Sequence, residues 1–138
     1  MAQSDGKIKV LLAQFPLETH SRGIIAVTGM LRNAGMEVVL IGNALPEQIV
    51  ETAVQEDVDV IGISTYCGGE LVLAKDLIEV AKKRGIKDRT TFLMGGIFPP
   101  SDMPKLKSIG FGGLFPAGTT EKEIVSYIND NVKVGKSS

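Results

Sequence analysis

Cysteine and histidine each occur once in this 138-residue chain, as Cys67 and His20. A single cysteine cannot form an internal disulfide, and one histidine with one cysteine cannot complete a zinc site within one chain. No apolar run approaches the roughly 20 residues that span a bilayer, and the polar first residues lack the apolar core of a secretory signal. We therefore expect a cytoplasmic protein with no membrane partner.

Charge is nearly balanced and aromatic residues are few. The chain has 15 lysine and arginine residues against 16 aspartate and glutamate residues, and only 5% of its residues are aromatic. Nucleic-acid-binding surfaces usually need an excess of basic residues. We therefore expect no nucleic-acid partner, and the length predicts one domain with a single well-buried core.

Several common nucleotide-binding and hydrolase motifs are also missing. The first apolar run is followed by Phe15-Pro16-Leu17, and not by a glycine-rich dinucleotide fingerprint, a P-loop or a flavodoxin-type phosphate loop. The third predicted strand ends at Ser64, where a phosphoacceptor receiver needs an aspartate. The Gly-x-Ser-x-Gly elbow of a serine hydrolase is absent as well.

Apolar runs alternate with helical patterns five times along the chain. The predicted strands cover residues 7–14, 36–41, 58–64, 90–94 and 112–115. Predicted helices cover 23–34, 70–83 and 101–109, a second helix begins at Pro46, and Thr120 to Glu123 form a capping-box pattern that opens the fifth. We expect residues 1–6 to be disordered, residues 7–132 to form the domain and residues 133–138 to fray.

Five strand–helix units predict an α/β fold with a doubly wound parallel sheet. Strands that are apolar on successive residues are buried on both faces, as parallel sheets require. The simplest arrangement is the flavodoxin-like strand order 2-1-3-4-5, with right-handed crossovers. In such sheets ligands bind beyond the carboxyl ends of the strands, where the order reverses, which predicts a crevice beside strands one and three.

The unusual stretches of the sequence all follow predicted strands and so fall on one rim. They are the loop with Glu18 and His20, the loop from Ser64 to residue 69, the pair Gly95-Gly96, and residues 116–119. Each has a structural interpretation beside a functional one. The glycines make tight turns or admit a ligand close to the backbone. Ser64 caps a strand or donates a hydrogen bond to a heterocycle.

His20 is either a surface loop residue or a metal ligand. A metal-ligating histidine usually gives its second ring N–H to a carboxylate, and Glu18 lies two residues before His20. Such a pair offers one strong axial ligand to a metal that brings its other ligands with it, as in a macrocyclic cofactor. Cys67 is interpreted as a packing residue or spectator, and Tyr66 as a pocket wall or a rim aromatic.

Together these features resemble a known signature. Glu18-x-His20-x-x-Gly23, Ser64 and Gly95-Gly96 are similar to the D-x-H-x-x-G…S-x-L…G-G pattern of cobalamin-binding domains, above all those of the acyl-CoA mutases in the methylmalonyl-CoA mutase group. The likeness extends from about residue 7 to about residue 128. Because its three parts fall on the correct strand ends, the match is specific.

The resemblance implies a role for each matching position. His20 would replace the cofactor's own dimethylbenzimidazole as the axial cobalt ligand, so that adenosylcobalamin binds base-off and His-on. Glu18 would orient His20, and Gly23 would open the following helix. The displaced nucleotide tail would lie in a slot after strands three to five. The implied cofactor-binding residues are Glu18, Thr19, His20, Ser21, Arg22, Gly23, Ser64, Tyr66, Gly68, Gly95, Gly96, Gly118 and Thr119.

Three positions depart from the family pattern. Glu18 stands where the family has aspartate, Tyr66 replaces the leucine of S-x-L, and Thr19 and Ser21 replace the usual glycine and aspartate. These departures affect the details of the loop and the slot. His20 is retained as the ligand.

The resemblance implies an isomerase subunit that cannot act alone. Radical chemistry would come from the cofactor, and the acyl-CoA site would lie in a separate TIM-barrel large subunit, a fold of about 250 residues. We expect a heterodimer or heterotetramer. One alternative is a corrinoid methyl carrier of a methyltransferase system, whose usual helical module has no counterpart before the first strand. Another is a flavodoxin-like binding module that does not use cobalamin.

Overall fold

Five parallel strands form the centre of the molecule. The computed structural model describes residues 7–15, 22–65, 70–116 and 118–132. Its strands are β1 (Lys9–Gln14), β2 (Glu37–Asn43), β3 (Val60–Thr65), β4 (Thr91–Gly96) and β5 (Gly113–Pro116). Their order is β2-β1-β3-β4-β5 and all neighbours are parallel, so the predicted flavodoxin-like topology is confirmed.

Helices connect successive strands. They are α1 (Arg22–Asn33), α2 (Pro46–Glu56), α3 (Glu70–Lys83), α4 (Met103–Ile109) and α5 (Glu121–Asn131). Two short 3₁₀ helices, Lys87–Arg89 and Pro100–Asp102, add a turn before β4 and before α4. Within the described ranges, no helix is long and apolar enough to cross a membrane.

Helices pack on both faces of the sheet. Residues along each strand point alternately to opposite sides, so each strand contributes to two cores. In β1, Leu11 and Ala13 belong to a core that also contains buried residues of α2, α3 and α4. Val10 and Leu12 face the opposite way, into a core shared with α1 and α5. All six residues of β1 are buried, so neither face of this strand reaches solvent.

Local sequence signals start two of the helices. Pro46 is the first residue of α2, a position whose backbone N–H has no helical partner in any case. At α5 the predicted capping box forms completely. The Glu123 backbone N–H donates to the Thr120 hydroxyl oxygen at 3.2 Å, and the Thr120 N–H donates to the Glu123 carboxylate at 2.8 Å.

Several predicted boundaries were wrong. Gly95 and Gly96 do not follow the fourth strand but are its last two residues, paired with Phe115 and Pro116 of β5. Strand β2 extends two residues beyond its predicted end, to Asn43. Helix α4 is shorter than predicted, because residues 100–102 form a 3₁₀ turn. The predicted disorder of residues 1–6 and fraying of residues 133–138 lie outside the described residues.

Candidate functional site

A cavity of about 200 Å³ opens between the carboxyl half of the sheet and helices α1 and α5. Four of the five strands contribute to it, together with the turn before α5. The residues that line it are Leu12, Gly23, Ile24, Val27, Leu31, Gly62, Ile63, Ser64, Leu93, Gly95, Gly96, Phe115, Pro116, Gly118, Thr119, Ile124 and Ile128. Six of these lining residues belong to the predicted cofactor-binding set.

Gly62 creates the floor of the cavity. It lies in the middle of β3, between Leu12 of β1 and Leu93 of β4 in the strand register. A Cβ atom at this position would lie 2.8 Å from Cδ2 of Leu12. A larger residue would therefore require the end of the Leu12 side chain to shift, and glycine leaves the floor of the cavity open at this point.

The adjacent glycines at the end of β4 have different roles. Gly96 has φ +127°, and a Cβ atom there would overlap the carbonyl oxygen of Thr65. Glycine is therefore needed at this position because of the backbone conformation and the close backbone of Thr65. A Cβ on Gly95 would meet only Phe115, with the carbonyl oxygen at 3.4 Å. Gly95 is the glycine that leaves room in the cavity.

Ser64 supplies a polar group on the cavity wall. In the register it lies between Gln14 of β1 and Gly95 of β4, and it is half-buried. Within the part of the chain that the structure describes, its hydroxyl has no hydrogen-bond partner. The hydroxyl can therefore donate to, or accept from, a ligand in the cavity.

The turn before α5 closes one side of the cavity. Gly118 and Thr119 both line it, and both belong to the cofactor-binding residues that the resemblance implies. The Thr119 hydroxyl donates to the Pro116 carbonyl oxygen at 2.7 Å, and the Thr119 N–H donates to the same oxygen at 3.1 Å. These two bonds tie the turn to the end of β5.

The remaining predicted site residues are only partly described. Gly23 lines the cavity from the first turn of α1, and Arg22 is the first residue of that helix. The other positions lie outside the described residues, and their roles stay predictions. They are Glu18, Thr19, His20, Ser21, Tyr66 and Gly68. The described chain leads into the first of these two segments at Phe15 and resumes at Arg22.

The cavity borders β1 and β3, where a crevice is predicted, and also β4 and β5, along which the resemblance implies a slot. Its outer wall, which was not predicted, consists of apolar residues from two helices. The sequence contained this signal, because Val27 and Leu31, like Ile124 and Ile128, are spaced four apart on one helical face. Such spacing usually marks a core face, and it does not reveal that part of the face borders a cavity.

The described walls of the cavity are largely apolar. None of the lining residues that the structure describes is ionisable. Behind Phe115 the ring of Tyr127 packs edge-on with the ring centroids 5.7 Å apart, and burial raises the pKa of the Tyr127 phenol. Among the described residues, no group of three histidine, cysteine, aspartate or glutamate side chains could hold a metal ion. The arrangement suits a flat, uncharged heterocycle with one hydrogen-bonding edge.

Comparison with known proteins agrees with this geometry. The solved structure of a cobalamin-binding protein from Desulfitobacterium hafniense superimposes with a TM-score of 0.79 at 18% identity. The match covers 92% of this chain and 60% of that one, so this chain spans well under two thirds of the solved protein's length. At this level of identity the likeness supports the fold alone.

Sequence relatives extend the comparison to function. The chain is 35% identical to the 2-hydroxyisobutanoyl-CoA mutase small subunit of Aquincola tertiaricarbonis, over 91% of this chain and 92% of the relative. It is 30% identical to the methylmalonyl-CoA mutase of Escherichia coli, over 86% of this chain but only 17% of that protein. The family model of the B12 binding domain matches residues 8–125. The chain therefore belongs to the B12-binding domain family.

Proposed function

We propose that this chain is the cobalamin-binding small subunit of an adenosylcobalamin-dependent acyl-CoA mutase. The observation that carries the proposal is the cavity, which gathers Ser64, Gly95 and Gly118 from three separate strand ends beside the start of α1. The similarity to a mutase small subunit along nearly its whole length favours a mutase over a corrinoid methyl carrier.

The cavity fits one part of the cofactor. Its volume of about 200 Å³ lies below the ~300 Å³ at which pockets begin to enclose a whole drug-sized ligand. This size suits the heterocycle of the nucleotide tail, and the corrin ring would stay outside on the rim. Ser64 would hydrogen-bond the heterocycle, Gly95 would leave room for its flat face, and the helix residues Val27 and Ile124 would exclude water from the opposite side.

His20 would be the axial ligand of the cobalt in this arrangement. A nucleotide tail held in the cavity would keep the cofactor's own base away from the metal and leave the cobalt free to bind an imidazole of this chain. Glu18 would accept a hydrogen bond from the second ring nitrogen of His20 and fix its orientation. When bound, adenosylcobalamin supplies the radical chemistry of the carbon-skeleton rearrangement, and this chain supplies ligation, position and shielding.

Exposed apolar side chains at the same edge of the sheet support a protein partner. Ile25, Leu45, Val72 and Ile97 each follow the carboxyl end of a different strand, and they are 50–67% exposed. An exposed apolar patch marks an interaction surface, and a partner that covered this edge of the sheet would bury all four side chains. A larger subunit with a TIM barrel and the acyl-CoA site would cover this face and close over the corrin.

The proposal is tested by purifying the tagged chain from its own cells. We expect a larger barrel subunit to copurify, and the pair to isomerise an acyl-CoA when adenosylcobalamin is added. His20→Ala should keep the partner and lose the isomerisation, because it removes the ligand and not the interface. Copurification with a methyltransferase, and transfer of a methyl group to and from the bound corrinoid, would instead identify a methyl carrier.

A further inference from the structure

The end of β1 is held from the side by the last residues of the edge strand β2. The side-chain amide of Asn43 donates to the carbonyl oxygen of Phe15 at 3.0 Å, and the Ala44 backbone N–H donates to the carbonyl oxygen of Gln14 at 2.9 Å. Phe15 is 3% exposed and packs in the core with Ala44. The chain is therefore fixed immediately before residue 16.

A β-bulge brings Asn43 to this position. Leu12 pairs with Leu40, but the next residue of β1, Ala13, pairs with Gly42, so Ile41 is an extra residue in β2. As a result Gln14 lies opposite Asn43. In an unbroken register Gln14 would lie opposite Gly42, which has no side chain to offer. Bulges are frequent beside functional sites, where they redirect a side chain.

The bonded carbonyl belongs to the peptide group that joins Phe15 to Pro16. A peptide group is planar, so fixing its oxygen fixes the plane in which the chain leaves the sheet. Proline has no backbone N–H, and the strand ladder therefore cannot hold the chain at residue 16 by the usual donor. The Asn43 amide supplies a hydrogen bond at the last point before the segment that contains Glu18 and His20.

We infer that Asn43 is a positioning residue for the cobalt ligand: by holding the Phe15 carbonyl, it directs the following segment so that His20 meets the metal. This inference rests on the proposed function. Asn43 is not among the described residues that line the cavity, and the contact that carries the inference is its bond to the backbone at Phe15. Its side chain is exposed, so removing it leaves no hole in the core.

The test uses cob(II)inamide, a corrinoid without the nucleotide tail, so that binding in the cavity does not contribute. A histidine nitrogen on Co(II) splits the lines of its electron paramagnetic resonance spectrum, and the split fraction at increasing protein concentration gives a ligation constant. The variants are Asn43→Asp, which keeps the shape and loses the donor, and Asn43→Ala, which adds no charge. Both are compared with the wild-type full chain and with His20→Ala.

Asn131 provides a matched control. Its side-chain amide also donates to a backbone carbonyl, that of Tyr127 at 2.8 Å, but at the end of α5 far from the rim. Asn131→Asp therefore makes the same chemical change elsewhere. Circular dichroism and thermal unfolding are recorded for every variant to check that it folds. The new carboxylate of Asn43→Asp lies just before the start of α2, where the helix dipole tolerates negative charge.

We expect both Asn43 variants to ligate about 2- to 12-fold more weakly than the wild type, the range for one neutral hydrogen bond, with Asn131→Asp unchanged. Folded Asn43 variants that ligate as tightly as the wild type would overturn the inference and leave the proposed function intact. An equal loss in Asn131→Asp, or loss of the fold in both Asn43 variants, would also overturn it. A wild-type signal identical to that of His20→Ala would overturn the proposed function itself.

Discussion

At the amino end of the sheet, charged side chains form close ion pairs. At the carboxyl end, within the described ranges, one hydroxyl has no hydrogen-bond partner and several large apolar side chains are exposed. Lys9, at the start of β1, contacts the carboxylates of Glu56 at 2.9 Å and Glu37 at 3.8 Å. Its backbone N–H donates to the Asp59 carboxylate at 3.0 Å. This end joins β1, β2, α2 and the start of β3 into one unit.

The carboxyl end has the opposite character. The Ser64 hydroxyl has no partner among the described residues, and Val72 and Ile97 are more than half exposed. Unpaired polar groups and exposed apolar surface lower the stability of the free chain unless something covers them. One end of the sheet therefore stabilises the fold, whereas the other keeps groups available for a ligand and a partner. The two ends should therefore respond differently to substitution.

The adjacent glycines of β4 separate the two kinds of requirement within the carboxyl end. Gly96→Ala places a Cβ against the Thr65 carbonyl oxygen at φ +127°, and we expect it to lower the free energy of unfolding by about 3 kcal/mol or more. Gly95→Ala should change it by less than about 1 kcal/mol but weaken cobalamin binding, because the added methyl group enters the cavity. Denaturant unfolding measures the free energy of unfolding, and titration with cobalamin measures the affinity. Equal stability of Gly96→Ala and Gly95→Ala would contradict the different roles of the two glycines.

Lys9→Met tests the amino end. The hydrogen bond to Glu56 and the nearby Glu37 raise the pKa of the Lys9 ammonium above its ordinary value of 10.5, although burial acts in the opposite direction. We expect Lys9→Met to lower the free energy of unfolding by about 1–2 kcal/mol at neutral pH, since both glutamates stay partly exposed. The affinity of Lys9→Met for cobalamin should be unchanged. A loss of affinity in this variant would contradict the assignment of the amino end to stability alone.

The pH dependence of the stability difference between wild type and Lys9→Met follows from the raised pKa of Lys9. A raised pKa means that the folded protein holds the Lys9 proton more tightly than the unfolded chain does. The stabilisation is therefore complete below pH 10.5 and is lost as the pH rises through the higher folded-state pKa. The stability gap between wild type and Lys9→Met should close in that alkaline window. A gap that stays constant there would show that the ion pairs are not its cause.

Ser64→Ala should have the smallest effect. Because its hydroxyl has no partner among the described residues, we expect no loss of stability. Cobalamin should bind roughly 2- to 12-fold more weakly, corresponding to one neutral hydrogen bond, while cobinamide, which has no tail, should bind as before. Ser108→Ala on the exposed side of α4 is the control. A parallel loss for both corrinoids would mean that Ser64 does not contact the tail.

Much of the fold was predictable because its signals are local. The strands are apolar on successive residues, the capping box at Thr120 and Glu123 opens α5, and Pro46 begins α2. The bounds of α3 were predicted without error. Strand order followed from the repeated strand–helix unit and the handedness of its crossovers. The rim positions of Gly23, Ser64 and Gly118 followed from that order.

The parts that were not predicted depend on contacts between distant segments. The bulge at Ile41 exists only in the pairing of β2 with β1, and the bond from Asn43 to Phe15 joins residues 28 apart. The need for glycine at residue 96 is equally non-local, because a side chain there would collide with the backbone of β3. The outer wall of the cavity could not be predicted from helical periodicity, which is the same for a core face and a cavity face.

The proposed axial ligation is tested most directly by labelling the histidine of the chain with ¹⁵N. Because His20 is the only histidine in the sequence, any ¹⁵N-histidine nitrogen on the cobalt must come from it. With cob(II)alamin of natural isotopic composition, ligation by His20 predicts that each cobalt line splits into a doublet in labelled protein and a triplet in unlabelled protein. Triplets in both samples would mean that the cofactor keeps its own base, and would contradict base-off binding with His20 as the ligand.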